Sequence, residues 1–99
     1  MVNSINQLLE KASDNAIEQA AHELMSWVES HATMTEVGQQ HINALFCLDC
    51  AVKNRDISRV IAVMWFTAGY QYAKSAGVSD NKLAFSLTLL GNASNAVTY

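Results

Sequence analysis

Residues 57–72 carry apolar side chains on nearly every side when they are wound as a helix. A helix that is apolar all round is normally buried over most of its surface. The chain has only 99 residues, so it has few other elements with which to surround this segment. The segment therefore predicts that a second copy of the chain, or another protein, covers part of it.

Composition and length place the chain among folded proteins of one domain, residues 1–99. It is 51% hydrophobic and 15% charged, whereas a typical soluble domain is about 25% charged. Disordered chains have the opposite balance, with few apolar residues and high net charge. The excess of apolar residues predicts that part of the protein surface is apolar and does not face solvent.

The sequence also gives an expectation about location. No stretch approaches the roughly 18 uncharged apolar residues that cross a bilayer, and the N-terminus lacks the basic and apolar regions of a secretory signal. Two cysteines in such a chain favour a reducing compartment. We therefore expect a cytoplasmic protein that does not enter a membrane.

The spacing of apolar residues predicts an all-α fold. Proline is absent and glycine occurs four times, so helices are not interrupted and tight hairpin turns are disfavoured. A capping box is predicted at Thr33–Glu36, a cap cluster at residues 13–15, N-caps at Ser4, Asp56 and Ser79, and a C-terminal stop at Gly77. We predict a single-domain bundle of about five helices around a central apolar helix at 57–76, the other four covering about residues 4–12, 14–32, 33–54 and 79–90.

Three of the predicted helices carry a second apolar patch away from their main apolar face. If a compact bundle buries its central helix, these patches are core; if not, they form an interface. We favour the interface and a two-fold dimer, the commonest oligomer. The predicted interface residues are Ile42, Phe46, Arg59, Phe66, Tyr70, Phe85 and Leu89.

Charge is unevenly distributed along the chain. Residues 1–49 hold seven acids and one base, net −6, and residues 50–99 hold five bases and two acids, net +3. This asymmetry indicates either attraction between the halves of one molecule or an acidic face for a basic partner. The predicted partner-facing acidic surface comprises Asp14, Glu18, Glu23 and Glu29.

Cys47 and Cys50 form a C-x-x-C motif that could serve metal binding or redox chemistry. The motif lies inside a predicted helix with no strand before it, a setting that removes the usual reason for a reactive thiol. A structural zinc ion needs four ligands, and only one cysteine pair is present. We interpret the pair as ordinary small side chains. His31 and His41 lie on apolar faces, where neutral, hydrogen-bonded core histidines are expected.

Function is predicted only at the level of class. No phosphate-binding loop, nucleophile elbow or zincin motif occurs, so we expect no enzyme, no catalytic residue and no cofactor. We predict a small regulator, adaptor or inhibitor that binds another protein and occludes its surface. The first alternative is a dimeric DNA-associated regulator using Lys53, Arg55 and Arg59. Nucleic acid is an improbable partner, because six bases oppose nine acids. The second alternative is a metal or redox protein using the cysteine pair.

Overall fold

The computed structural model describes residues 13–97, and it describes side-chain surroundings from residue 13 to residue 90 except residue 14. This part of the chain forms four α-helices and no strand, which confirms the all-α prediction. The predicted helix at 4–12 lies outside the described residues. None of the described helices combines the length and apolarity needed to cross a bilayer. The helices are α1 (Asp14–Met34), α2 (Gln39–Asn54), α3 (Arg59–Ala76) and α4 (Asp80–Val97).

Three predicted helix ends are confirmed by their hydrogen bonds. The Ser13 side chain accepts from the N–H of Ala16 at 3.1 Å and so caps α1, next to the predicted start. Gly77 ends α3 with a φ of 105°, a left-handed conformation that glycine adopts without a Cβ penalty. The hydroxyl of Ser79 accepts from the N–H of Lys82 at 3.4 Å at the start of α4.

The predicted capping box at Thr33–Glu36 is wrong, because α1 continues through Thr33 to Met34. The hydroxyl of Thr33 donates to the carbonyl oxygen of Ser30 at 2.8 Å, a bond made within the helix. Hydroxyl-bearing residues at the end of a helix can satisfy carbonyls of the preceding turn as well as cap a new start. The next helix begins instead after Gly38, whose backbone is extended.

Two further boundaries differ from the prediction. Ser58, rather than Asp56, caps α3, because its side chain accepts from the N–H of Ile61 at 3.4 Å. Helix α4 continues past the predicted end at residue 90 to Val97. A single glycine at position 91 costs about 1 kcal/mol in a helix, and without proline no residue there is sterically unable to continue it.

Helix α1 supplies more fully buried side chains than any other described helix, whereas the predicted central helix, α3, packs mainly on α2. Both α1 and α3 contact each of the other three described helices. The inward side of α1 is rich in alanine, which lets neighbouring helices approach on more than one flank. Fully buried α1 residues are Ala16, Ile17, Ala20, Ala21, Leu24 and Val28.

Helix α3 is attached chiefly to α2, with which it shares the most extensive helix–helix contact. Gly69 lies directly against Leu48 of α2: a Cβ built at Gly69 would stand 2.6 Å from Leu48 Cγ. The buried side of α3 is therefore its stripe of small residues together with one aromatic ring, namely Ala62, Phe66, Gly69 and Ala73. The rest of this apolar helix is left at least partly open.

Candidate interaction surfaces

An exposed apolar face runs along α3 and the turn before it. Ile57 is 78% exposed and Met64 is 65% exposed, although both side chains are large and apolar. These residues recur at helical spacing, so their side chains share one side of the helix. We call this surface the α3 apolar face; it comprises Ile57, Val60, Ile61, Met64, Trp65, Ala68 and Tyr72.

The α3 apolar face continues onto α2. The ring of Phe46 meets that of Trp65 edge to face, with centroids 5.7 Å apart. Ile42 lies one turn before Phe46, and both are exposed. A shallow hollow lies along this surface, lined by Ile61, Met64, Trp65 and Ala68; it has a volume of about 610 Å³, part of which is open solvent. Large contiguous apolar patches on a protein surface commonly mark a binding site.

The predicted interface set includes one residue that must be corrected. Phe66 is fully buried in the core of this chain, so its side chain is not available to a partner. Tyr70 is half-buried, and burial, with a smaller contribution from Asp80, raises the pKa of its hydroxyl. Arg59 is the first residue of α3 and is partly buried. Of the predicted pairs, Ile42 and Phe46 adjoin the α3 apolar face.

The third predicted pair lies elsewhere. Phe85 is exposed, but its ring packs edge to face on Trp27 of α1 with centroids 5.3 Å apart. Leu89 is partly buried and packs against the core. Phe85 therefore belongs to the contact between α1 and α4, and Leu89 belongs to the edge of the core.

The residues of the predicted acidic surface have different surroundings in the structure. A carboxylate oxygen of Glu18 lies 3.1 Å from Nε of Arg55, and its other oxygen lies 3.6 Å from His22 Nε2. Glu18 thus joins the acidic and basic halves within one molecule. Glu23 and Glu29 are exposed on α1. Asp14 is the first residue of α1, and its side chain lies outside the described part.

The predicted basic cluster is largely engaged by carboxylates. Lys53 Nζ lies 2.8 Å from Asp49, and this contact raises the pKa of Lys53. Arg55 contacts Glu18 and also Asp56. Such pairs reduce the positive charge that the surface offers to phosphates.

The cysteine pair lies within α2 and contains no disulfide. Cys47 is buried, and desolvation, followed by the charge of Cys50, raises the pKa of its thiol. A raised pKa lowers the fraction of reactive thiolate, which works against redox chemistry. Within residues 13–97, no three or more His, Cys, Asp or Glu side chains are grouped to hold a metal ion.

His31 and His41 form a hydrogen-bonded pair that joins the end of α1 to the start of α2. The N–H of Gly38 lies 3.0 Å from His41 Nδ1. Because a backbone N–H can only donate, His41 Nδ1 accepts and the ring proton is on Nε2. That Nε2 lies 2.8 Å from His31 Nδ1, which must then accept. His31 consequently carries its own proton on Nε2, on the opposite edge of its ring.

The sequence predicted that part of this helix is left for a partner, but it placed that part at Arg59, Phe66 and Tyr70 rather than at Ile57, Ile61 and Met64. The stripe of small residues Ala62, Gly69 and Ala73 could have indicated which side of the helix is buried, because a neighbouring helix can approach most closely there. Comparisons with family models, curated proteins and solved structures found no match for this chain.

Proposed function

We propose that this protein is a small, non-catalytic interaction module that self-associates through the α3 apolar face. The observation that carries the proposal is the row of exposed and half-buried apolar side chains that runs along one side of the chain from Ile57 to Tyr72. Burying a large apolar side chain stabilises a complex by about 1.5–3 kcal/mol. A surface of several such residues therefore supplies enough free energy for association after the loss of translational and rotational freedom.

A second copy of the chain suits this face better than a charged partner. The face contains no charged side chain, and Met64 and Trp65 stand midway between its ends. Two copies of α3 lying antiparallel about a two-fold axis would match the whole length of both faces. Ala68 leaves room for a partner's side chain in the hollow. A stable interface buries about 800 Å² of surface on each partner. The interface would therefore have to include Ile42 and Phe46 as well.

The paired molecule would act by binding another protein and occluding its surface. Glu23 and Glu29 lie exposed on α1 and remain available as an acidic surface for a basic partner. Affinity isolation from the native host should recover a basic protein with the natural chain, and recovery should fall in salt and with a Glu23→Gln, Glu29→Gln variant. If the natural chain and the variant recover the same amount of the basic protein, the acidic surface is not its binding site.

Sedimentation equilibrium at micromolar concentration tests self-association. We expect twice the 10.8 kDa chain mass. Met64→Glu should give a folded monomer, because a two-fold axis places two charges in the interface and weakens association about 100-fold or more. Val37→Glu is the matched control: Val37 is also apolar and is 61% exposed, but it precedes α2. A dimeric Met64→Glu variant would contradict the proposal.

Oxidative footprinting distinguishes a second copy from other occupants of the face. Met34 is 84% exposed and Met64 is 65% exposed, so Met34 serves as an internal standard. In the dimer, Met64 should be oxidised several-fold more slowly than Met34, and dilution to monomer should remove the difference. If Met64 is oxidised slowly at every concentration and the protein is a monomer throughout, the dimer is rejected. That result would indicate that residues 1–12 of the same chain cover the face.

A further inference from the structure

A groove lies between the last turns of α1 and the start of α4, away from the α3 apolar face. The groove is open to solvent on one side and has a volume of about 470 Å³, and its lining includes the apolar side chains Trp27, Met34 and Val78. Small-molecule sites are concave and mainly apolar, with a few polar groups that fix orientation. The groove has this composition, and its polar groups decide what it can hold.

The polar groups of the groove favour an anion. Lys82 lines it, with Nζ 6.0 Å from the centre of the Trp27 ring. Ser79, the cap of α4, lines the groove as well, and a helix N-terminus carries partial positive charge. None of the described residues lining the groove is acidic. The carboxylate of Asp80 lies in the first turn of α4, but Asp80 is not one of the residues that line the groove.

His31 adds a donor whose direction is fixed by its neighbours. Because Nδ1 accepts from His41, the proton of His31 is on Nε2. That edge of the ring faces Gly77, where an added Cβ would stand 3.3 Å from Nε2 and 3.2 Å from Cε1. Glycine at this position therefore keeps the protonated edge of His31 open toward the groove that both residues line.

We propose that the groove binds a small carboxylic acid with an aromatic or aliphatic body. The carboxylate would contact the ammonium group of Lys82 and accept from Nε2–H of His31, while the body packs against Trp27 and Met34. A charged hydrogen-bond partner favours the anion, and the apolar walls favour a ligand larger than a simple inorganic ion. This site is independent of the dimer proposed above.

Phenylacetate and its neutral counterpart phenylacetamide test the proposal by proton–nitrogen NMR on the intact chain. The indole N–H of Trp27 reports on the groove, and that of Trp65 reports on the α3 apolar face. We expect phenylacetate to shift the Trp27 signal with a Kd of about 1 mM or lower, to leave Trp65 unchanged, and to bind at least tenfold more tightly than phenylacetamide.

Variants separate the groove from general charge effects. Lys82→Gln should weaken phenylacetate binding about tenfold or more, whereas Lys74→Gln, which removes an exposed lysine of α3, should leave it unchanged. Gly77→Ala should also weaken binding in whatever fraction remains folded, because the methyl group closes the edge of His31. Equal binding of acid and amide, shifts at Trp65 alone, or unchanged binding by Lys82→Gln would each overturn the proposal.

Discussion

At the scale of single residues, hydrogen bonds fix the positions of the ring protons in the histidine pair. One backbone donor, the N–H of Gly38, sets the proton position on His41 and through it that on His31. The sequence predicted neutral, hydrogen-bonded core histidines from their apolar faces. The structure confirms the hydrogen bonding, but it buries only His41 and leaves His31 half-buried. Their contact with each other was not predictable, because it depends on how α1 turns into α2.

Replacing His41 should lower the stability of the fold substantially. His41→Ala removes a buried ring and leaves the N–H of Gly38 and Nδ1 of His31 without their partners. We expect a loss of about 2–4 kcal/mol in the free energy of unfolding, measured by urea denaturation. The control is His22→Ala, which removes an exposed imidazole of α1 and should change stability by less than about 0.5 kcal/mol. Equal effects of the two substitutions would refute the structural role of the pair.

At the scale of helices, the sequence predicted which segments are helical better than it predicted where each helix ends or which side of it is buried. Ser13, Gly77 and Ser79 were identifiable because each makes a local hydrogen bond or turn that its residue type favours. The false cap at Thr33 shows the limit of such signals. A threonine that donates back to its own helix has the same sequence signature as one that begins the next.

The orientation of α3 depends on Gly69, and substitution there should be costly. Gly69→Ala places a methyl group 2.6 Å from Cγ of Leu48, which is itself fully buried and has little room to move. The resulting strain of about 1–3 kcal/mol should outweigh the gain of about 1 kcal/mol in helix propensity.

Urea denaturation of Gly69→Ala should therefore show lower stability than the natural chain. Gly38→Ala is the comparison, since an added Cβ there meets only Nδ1 of His41, at an ordinary 3.7 Å. Its loss should be the smaller of the two and reflect the poorer N-cap alone. If Gly69→Ala proves as stable as the natural chain, the close approach of α3 to Leu48 is incorrect.

At the scale of the whole molecule, α3 has an apolar side that the other described helices leave exposed, and it is a different side from the one expected. The sequence placed the uncovered surface at Phe66 and Tyr70, whereas the structure buries Phe66 and exposes Ile57 and Met64. Helical periodicity gives the relative angles of side chains correctly. It does not say which of two apolar sides meets the neighbouring helix, because that choice is made by tertiary packing.

Self-association should make thermal stability depend on protein concentration. Since a dimer is favoured by mass action, the midpoint of thermal unfolding should rise by about 3–5 °C for each tenfold increase in concentration. Circular dichroism across two decades of concentration measures this shift. The Met64→Glu variant should unfold at the same temperature throughout that range. A natural chain whose midpoint does not move with concentration would count against the dimer.

At the α3 apolar face, substitutions that the fold tolerates should differ from substitutions that the function tolerates. Its side chains are exposed in the single chain, so replacing them with polar groups removes few internal contacts. A library selected only for soluble, folded protein should accept such replacements readily and become enriched in them. A library selected for biological activity should reject them if the face is an interface. Positions that differ between the two selections would then trace the outline of the binding surface.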